Sequence, residues 1–154
     1  ENPVKFYIPL SAKKGKNLDK LTEAIVDLLP ERDFLFYPEK ETTDFPLSFR
    51  ISEIIREKLL LFLKEELPQS CAVIVEEMEE KENIVYIYAS ILVNRTSQKK
   101  IIIGKGGSFI KKIGTEARKD LEVLLKRKVY LELYVKVVKD WQKRPRILKE
   151  IGYE

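Results

Sequence analysis

The sequence predicts an α+β fold: a three-stranded sheet with helices on one face, preceded by a partial α/β segment of one strand and one helix. Apolar residues recur at helical spacing before residue 68 and after residue 107. Three β-rich runs occupy residues 71–78, 84–93 and 129–138. Between the second and third runs, four of the six glycines fall within residues 101–114 and interrupt a helical pattern.

The N-terminal 30 residues predict one strand and one helix. VKFYIPL at 4–10 is a β-rich apolar run, and a helical apolar stripe follows with Asn17 as its expected N-cap and Pro30 after its end. The stripe residues are Leu18, Leu21, Ile25, Leu28 and Leu29. Since one strand and one helix cannot bury both of their faces, residues 1–30 are predicted to be part of a larger α/β domain. Residues 31–45 show no sustained period and predict a linker to a second domain over 46–154.

Three helices are predicted in the second domain. The first covers residues 46–67, where apolar residues recur every three or four positions before a proline. A short helix covers 98–103, with Thr96 or Ser97 as its N-cap. The third runs over about 107–127. Its predicted inward side chains are Ile110, Ile113, Ala117, Leu121, Leu124 and Leu125.

The three predicted strands alternate with these helices. CAVIVEEM at 71–78 and IVYIYASILV at 84–93 predict an antiparallel hairpin joined by a charged turn over 79–83, and VYLELYVKVV at 129–138 predicts the third strand. One face of the second strand carries Val85, Ile87, Ala89, Ile91 and Val93. The order is therefore helix, strand, strand, helix, glycine loop, helix, strand. The tail that follows, DWQKRPRILKEIGYE, is predicted to be a basic helix with one tryptophan, which Pro145 must either begin or break.

The composition restricts the chemistry. Histidine is absent, so the chain has no imidazole base, no Ser-His or Cys-His pair and no His-ligated zinc. Cys71 is the single cysteine, which excludes an internal disulfide and favours an intracellular setting; its apolar run CAVIV predicts a core residue. No apolar run approaches the roughly 20 residues of a transmembrane helix. The absence of an initiator Met leads us to expect part of a longer protein.

The charge is distributed unevenly. Residues 1–98 carry 13 Lys/Arg against 18 Asp/Glu, whereas residues 99–154 carry 16 against 7. The C-terminal third is therefore the candidate for binding a polyanion, although a solvated, lysine-rich surface would have the same composition.

Three glycine motifs compete for IIIGKGGSFIKKIG at 101–114. A phosphate-binding G-x-x-x-x-G-K-[ST] loop fails because Gly106 follows Lys105, and a G-x-G-x-x-G dinucleotide motif fails because its sixth position is Phe109. Gly104 to Gly107 fits the G-x-x-G loop of KH domains, which approaches the backbone of single-stranded nucleic acid between two helices. The alternative is a plain turn in which Gly104 is only a helix C-cap.

The segment order matches a type II KH domain, with two strands before the loop and one after it. Bare glycines allow the main chain to approach phosphates, lysines supply charge, and isoleucines can form the floor of a groove for bases. The predicted RNA-binding residues in and beside the loop are Ile103, Gly104, Lys105, Gly106, Gly107, Ile110, Lys111 and Lys112.

The sequence resembles the C-terminal part of the bacterial ribosome-assembly GTPase family Era, that is, the end of the G domain plus the KH domain. The segments that carry the resemblance are PLSAKKGKNLDKL at 9–21, RTSQKKIIIGKGG at 95–107, VYLELYVKV at 129–137, DW at 140–141 and IGY at 151–153. The resemblance implies that Ser11, Ala12 and Lys13 form the loop that contacts the guanine base. It implies that the basic tail helps to hold RNA through Trp141, Lys143, Arg144 and Arg146, although Trp141 could instead only pack the tail onto the sheet.

The resemblance also implies a function. It predicts binding to the 3′ end of 16S rRNA and a role in 30S subunit assembly under GTP control, in the cytoplasm with peripheral contact to the inner membrane. The P-loop, the D-x-x-G element and the N-K-x-D motif are absent from these residues, so the chain itself is expected to be no enzyme and to hold no cofactor or metal; GTP and Mg²⁺ would belong to the longer parent. The alternative is a KH module of another bacterial RNA-binding protein, such as a ribosomal or transcription-elongation factor, with no GTPase.

Overall fold

The structure is a computed structural model that describes most of the chain, namely residues 3–31, 43, 45–63 and 67–152. The chain divides into two compact units, Glu1–Thr43 and Asp44–Glu154. Most of the predicted linker and the Tyr153 of the IGY motif lie outside the described residues. No helix within the described residues is both long and apolar enough to span a bilayer.

The described part of the first unit contains one α-helix, α1 (Leu18–Leu28), close to the predicted span. The strand predicted over 4–10 is not observed: these residues have no regular secondary structure, because among the described residues no neighbouring strand pairs with them. Asn17 precedes the helix as predicted, but its side chain does not cap it. The Asn17 Nδ2 donates instead to the Pro9 carbonyl at 2.7 Å.

Within its described residues, the second unit contains four α-helices and three strands in the predicted order. They are α2 (Leu47–Phe62), β1 (Ala72–Glu80), β2 (Ile84–Val93), α3 (Thr96–Ile103), α4 (Ser108–Leu125), β3 (Lys128–Val137) and α5 (Pro145–Glu150). The α+β fold with a three-stranded sheet is therefore confirmed. Each of the three strands predicted for this unit is observed, and its ends lie within two residues of the predicted ones.

The sheet has the order β1-β2-β3. β1 and β2 pair antiparallel through a turn in which the Lys81 N–H donates to the Ile84 carbonyl at 2.9 Å. β2 and β3 pair in parallel, from Ile84 opposite Lys128 to Val93 opposite Val137. Because parallel neighbours need a crossover connection, α3 and α4 carry the chain across one face of the sheet, and the glycine loop lies in the middle of that crossover.

Helices α2, α3 and α4 bury this face. The predicted face of β2 is almost wholly inaccessible, and Ile51, Ile55 and Leu59 of α2 pack against it. Ile113, Ala117 and Leu121 of α4 complete the core as predicted. Cys71 is also buried; loss of solvent raises the pKa of its thiol to about 11, so it is a core residue and a poor nucleophile.

The opposite face of the sheet also carries packed side chains at one end. Trp141 and the side chains of Ile147, Leu148 and Ile151 pack on Ala72 and Leu92, which point away from the main core. The C-terminal segment therefore covers one end of the second face. The rest of that face carries polar and aromatic side chains.

Two predicted helix limits also differ from the structure. α2 ends at Phe62 because Leu63 is extended, with φ −83° and ψ 154°, although the apolar period continues to Leu67. Neither Thr96 nor Ser97 caps α3. The N-cap is Arg95, and the Gln98 carboxamide oxygen accepts from the N–H groups of Asn94 and Arg95 at 2.9 and 3.0 Å, as the third helical residue does in a capping box.

Candidate nucleic-acid interface

The glycine loop is a tight, fixed turn between two helices. α3 ends at Ile103, Lys105–Gly107 form one 3₁₀ turn, and α4 begins immediately afterwards. The Gly104 N–H donates to the Lys100 carbonyl at 3.0 Å, and the Gly107 N–H donates to the Gly104 carbonyl at 3.2 Å. Three glycines have positive φ: 74° at Gly104, 60° at Gly106 and 77° at Gly107. A simple helix C-cap needs one such residue, so this loop is more than a cap.

Gly104 is required where it stands. A Cβ atom on this residue would lie 2.7 Å from the Phe109 Cβ and 3.0 Å from the Phe109 nitrogen. In addition, its φ of 74° and ψ of 175° together form a backbone conformation that residues with a side chain rarely adopt. Gly104 therefore allows α3 and α4 to approach each other closely at the loop.

We expect Gly104→Ala to lower the free energy of unfolding of the chain by about 2 kcal/mol or more, because it combines backbone strain with a clash against main-chain atoms of α4. Gly106→Ala is the matched control, since its φ is also positive but nothing lies within 4 Å of the added Cβ; we expect a loss of about 1 kcal/mol. Urea unfolding followed by circular dichroism measures both. Equal losses would contradict the role of the close approach.

Gly106 and Gly107 present bare main chain to solvent. A Cβ on either residue would meet no atom within 4 Å, and Lys105 between Gly104 and Gly106 is exposed. α4 has no acidic residue in its first turn, so the positive end of its dipole and the Lys105 ammonium act together. This combination of exposed main chain at the loop tip, positive charge and no side-chain obstruction suits a phosphate group.

A groove of about 360 Å³ runs beside α4 along β3. Its walls come from α4 and from β3, which is an edge strand because the sheet order ends with it. The lining residues are Ile110, Lys111, Gly114, Thr115, Arg118, Tyr130, Leu131, Glu132 and Leu133. An apolar floor with cations on one wall can hold a narrow strand of bases with its phosphates toward the cations.

The predicted lysines of α4 separate in the structure. Lys111 lines the groove and is exposed. The Lys112 ammonium lies 4.1 Å from the ring centroid of Phe62 at the end of α2, in a cation–π contact. Adjacent residues on a helix point about 100° apart, so only Lys111 shares the groove.

Sequence reasoning missed seven of the nine lining residues: Gly114, Thr115, Arg118, Tyr130, Leu131, Glu132 and Leu133. The α4 residues among them follow Lys111 at i+3, i+4 and i+7, so they form one helix face that the spacing could have revealed. A Cβ on Gly114 would lie 3.5 Å from the Leu133 Cδ1, which shows how closely the floor approaches the helix. Leu131 and Leu133 belong to β3, which follows the crossover in sequence. Only the pairing of β3 with β2 brings these two residues to the groove.

The tail divides into a buried and an exposed part. Trp141 is 6% exposed, and its Nε1–H donates to the Ser70 carbonyl at 3.1 Å. Its ring therefore has no free face for a base, and the packing interpretation fits the structure better than the RNA-stacking one. Lys143, Arg144 and Arg146 are exposed. The Arg144 Nη2 donates to the Lys139 carbonyl at 3.3 Å, and Arg146 pairs with Glu150.

The predicted base-contacting loop lies in the first unit. Ser11 and Lys16 exchange backbone hydrogen bonds of 3.2 and 3.1 Å around a 3₁₀ turn over Ala12–Lys14. Gly15 closes the turn with φ 65°. Ala12 and Lys13 are exposed, so the loop is held by its own backbone and presents its tip to solvent.

The sequence model of the KH domain matches residues 66–142, which is half of the chain. The chain belongs to the KH domain family. The match contains the whole crossover with the G-x-x-G loop, so the type II KH interpretation of the segment order is confirmed. In this KH domain the loop directly precedes α4, whose Ile110 and Lys111 line the groove.

Curated relatives extend the similarity beyond the KH domain. Proteins named GTPase Era from Halothermothrix orenii and Trichlorobacter lovleyi are each 47% identical to the chain over 148 residues, which is 96% of this chain and 50% of theirs. The chain thus spans about half the length of the curated relatives it matches. These relatives confirm the resemblance to Era.

Solved structures give the same result. The structure of Aquifex aeolicus Era bound to GDP and AlF₄⁻ is 45% identical, with a TM-score of 0.87 over 94% of this chain and 49% of that one. A structure of Era in complex with MgGDPNP and nucleotides 1506–1542 of 16S ribosomal RNA is 46% identical, with the same TM-score and coverage. The whole fold of the KH domain is therefore shared with an Era that binds 16S rRNA.

Proposed function

We propose that this chain binds single-stranded RNA through its KH domain, and that its target is the 3′ end of 16S rRNA. The observation that carries the proposal is the loop at Gly104–Gly107, which places bare main chain and the Lys105 charge at the end of an open groove. The Era structure that contains nucleotides 1506–1542 of 16S rRNA supports the choice of RNA. The curated relatives named GTPase Era favour this assignment over a KH module of an unrelated RNA-binding protein.

The loop and the groove have different tasks in this proposal. The main chain of Gly106 and Gly107 and the Lys105 ammonium hold phosphates, which fixes the position of the strand. Bases then lie on Ile110, Leu131 and Leu133, while Lys111 and Arg118 follow the backbone on the outer wall. KH domains recognise single strands in such a groove, so the target in this proposal is one RNA strand and not a duplex. Lys143, Arg144 and Arg146 add a second, peripheral contact for the RNA backbone.

The first unit belongs, in this proposal, to a GTP-binding domain of a longer protein. Within that unit an open groove of about 620 Å³ exposes apolar side chains, and Phe6, Ile25 and Leu28 are each about half exposed. Such a surface suits coverage by further elements of an α/β domain. With GTP and Mg²⁺ held by the longer protein, Ser11–Lys13 would contact the guanine base, and the nucleotide would control RNA binding during 30S assembly. The setting is the cytoplasm, with peripheral contact to the inner membrane.

Salt dependence tests the RNA assignment. The probe is a labelled oligonucleotide of the 16S rRNA 3′ end, titrated at 50 to 200 mM salt by fluorescence anisotropy. With about three or four phosphates neutralised, the slope of log affinity against log salt should be roughly −2 to −3, so affinity should fall roughly 20- to 50-fold over this range.

The control is the same oligonucleotide annealed to its complement, which should bind far more weakly because a duplex cannot enter the groove. Salt-independent affinity, or equal affinity for the duplex, would contradict the proposal.

Nucleotide binding tests the assignment of the enzyme activity to the longer protein. The 154-residue chain contains no G-x-x-x-x-G-K-[ST] segment to cradle phosphates, so we expect no saturable binding of MgGTP up to about 1 mM by calorimetry. Micromolar binding by the chain alone would overturn this assignment without affecting the RNA proposal.

A further inference from the structure

The sheet face opposite the helices carries a compact group of tyrosines and glutamates beyond the end covered by the C-terminal segment. Because Val85, Ile87 and Ala89 of β2 point into the core, Tyr86 and Tyr88 point the other way. In the strand register Tyr130 stands beside Tyr86, Glu132 beside Tyr88 and Tyr134 beside Ser90. On the other side, Glu79 stands opposite Tyr86 and Glu77 opposite Tyr88. We call this surface the tyrosine face: Glu77, Glu79, Tyr86, Tyr88, Tyr130, Glu132 and Tyr134.

The aromatic side chains form one connected cluster. The Tyr86 and Tyr130 ring centroids are 5.4 Å apart, and those of Tyr88 and Tyr130 are 6.4 Å apart. Tyr130 and Tyr134 are 46% and 47% exposed, so the cluster is accessible from solvent. The Tyr130 and Tyr134 hydroxyls both donate to the Glu132 carboxylate, which holds the rings beside a negative charge.

The face is also acidic. Of the three lysines at its margins, Lys136 and Lys81 are already paired with Glu76 at 2.7 Å and Glu79 at 3.6 Å, and Lys128 lies at the end of β3 next to Tyr130. Among the described residues, neither Glu77 nor Glu132 forms an ion pair. Loss of solvent, together with the charges of Glu79, Glu132 and Glu77, raises the pKa of Tyr88, as expected where carboxylates surround a phenol.

This chemistry excludes a polyanion and suits a cation. RNA phosphates would meet uncompensated carboxylates here, whereas the guanidinium of arginine can stack on tyrosine rings and pair with glutamate at the same time. The face already holds one cation in this way, since the Lys81 ammonium lies 4.5 Å from the Tyr86 ring centroid. It also lies on the side of the sheet opposite α3 and α4, which carry the glycine loop.

We propose that the tyrosine face is a docking surface for an arginine-rich segment of a partner protein. Arginines of the segment stack on Tyr86, Tyr88 and Tyr130, and their charges are neutralised by Glu77 and Glu132. The surface shares Tyr130 and Glu132 of β3 with the lining of the RNA groove, while its β1 and β2 residues lie on the opposite side of the sheet from α4. This proposal does not depend on the identity of the RNA.

A titration with a defined peptide tests the proposal. A nonapeptide of arginine is added to the ¹⁵N-labelled chain, and amide and tyrosine-ring signals are followed by NMR. We expect shifts confined to β1, β2 and β3 residues of the tyrosine face, and little response to a nonapeptide of lysine, which stacks less well on aromatic rings. The double variant Glu77→Lys and Glu79→Lys, both exposed, should weaken arginine-peptide binding at least tenfold.

The matched control is Glu23→Lys with Asp27→Lys, which makes the same charge change on exposed residues of α1 and should leave binding nearly unchanged. As a second variant, Tyr88→Leu should weaken the arginine peptide while keeping the charge. Equal weakening by the α1 control, or shifts outside the face, would overturn the proposal.

Two further results would overturn it by identifying another occupant. One is an RNA oligonucleotide that shifts the same tyrosine signals when the peptide does not. The other is a dimer in sedimentation experiments that the Glu77→Lys and Glu79→Lys variant abolishes, since the occupant would then be a second copy of the chain.

Discussion

Replacing Lys105 and Gly106 together with aspartate is expected to reduce the affinity of the chain for single-stranded RNA by about 100-fold, or about 3 kcal/mol. The change removes the cation at the loop tip and places two carboxylates where phosphates would lie. It should not unfold the domain, because the Lys105 side chain is exposed and a Cβ at Gly106 meets no atom within 4 Å. Aspartate is also among the residues that tolerate a φ of 60°.

The chain contains a closely matched control for this experiment. Gly15 and Lys16 form a second glycine–lysine pair, with φ 65° at Gly15 and open space around its Cβ position. Gly15→Asp with Lys16→Asp makes the same change in net charge at the same kind of backbone position, but in the first unit. RNA affinity measured by fluorescence anisotropy should be nearly unchanged in this control. If the loop variant kept its fold by circular dichroism and still bound RNA with undiminished affinity, the groove would not be the RNA site.

Trp141→Ala is expected to lower the free energy of unfolding by about 3–5 kcal/mol, the range for removing a large aromatic side chain from a core. The indole fills the small second core against Ala72 and Leu92, and its N–H satisfies the Ser70 carbonyl. The change would therefore leave both a cavity and an unpaired carbonyl. Urea unfolding provides the measurement. Val123→Ala, at a side chain that is 79% exposed on α4, is the control and should cost very little.

A second variant at this position separates packing from RNA stacking. Trp141→Phe should retain enough structure for an RNA titration, and the affinity of the folded protein should stay within about twofold of the parent chain. A tenfold loss of RNA affinity with an unchanged unfolding free energy would instead make Trp141 a direct contact.

Periodic segments were predictable because burial follows the period directly. The alternation in IVYIYASILV has one interpretation, and Ile87, Ala89 and Ile91 are all 0% exposed as expected. The stripe Ile113, Ala117, Leu121 of α4 was equally clear. The loop was recognisable because no common motif other than the KH loop places glycines and lysine between two helices at this spacing.

Three other features could not be predicted, because each depends on contacts between residues that are distant in sequence. Whether Trp141 stacks on a base or on Ala72 is decided by the path of the tail, which carries no period. Lys111 and Lys112 look equivalent in sequence until Phe62 is placed beside one of them. Residues 4–10 have strand-like composition, but a strand also requires a partner, which the described residues do not supply.

The parallel pairing of β2 with β3 has a consequence for the order of folding. The β1–β2 hairpin closes over a short turn, whereas β3 can join the sheet only after α3, the loop and α4 have been brought across it, a closure that costs more chain entropy. One wall of the groove is α4 and the other is β3, so the groove does not exist in a chain that has formed only the hairpin. A nascent or partly unfolded chain would therefore contain the glycine-loop residues without the groove. Its ability to bind an RNA strand would appear only when β3 pairs with β2.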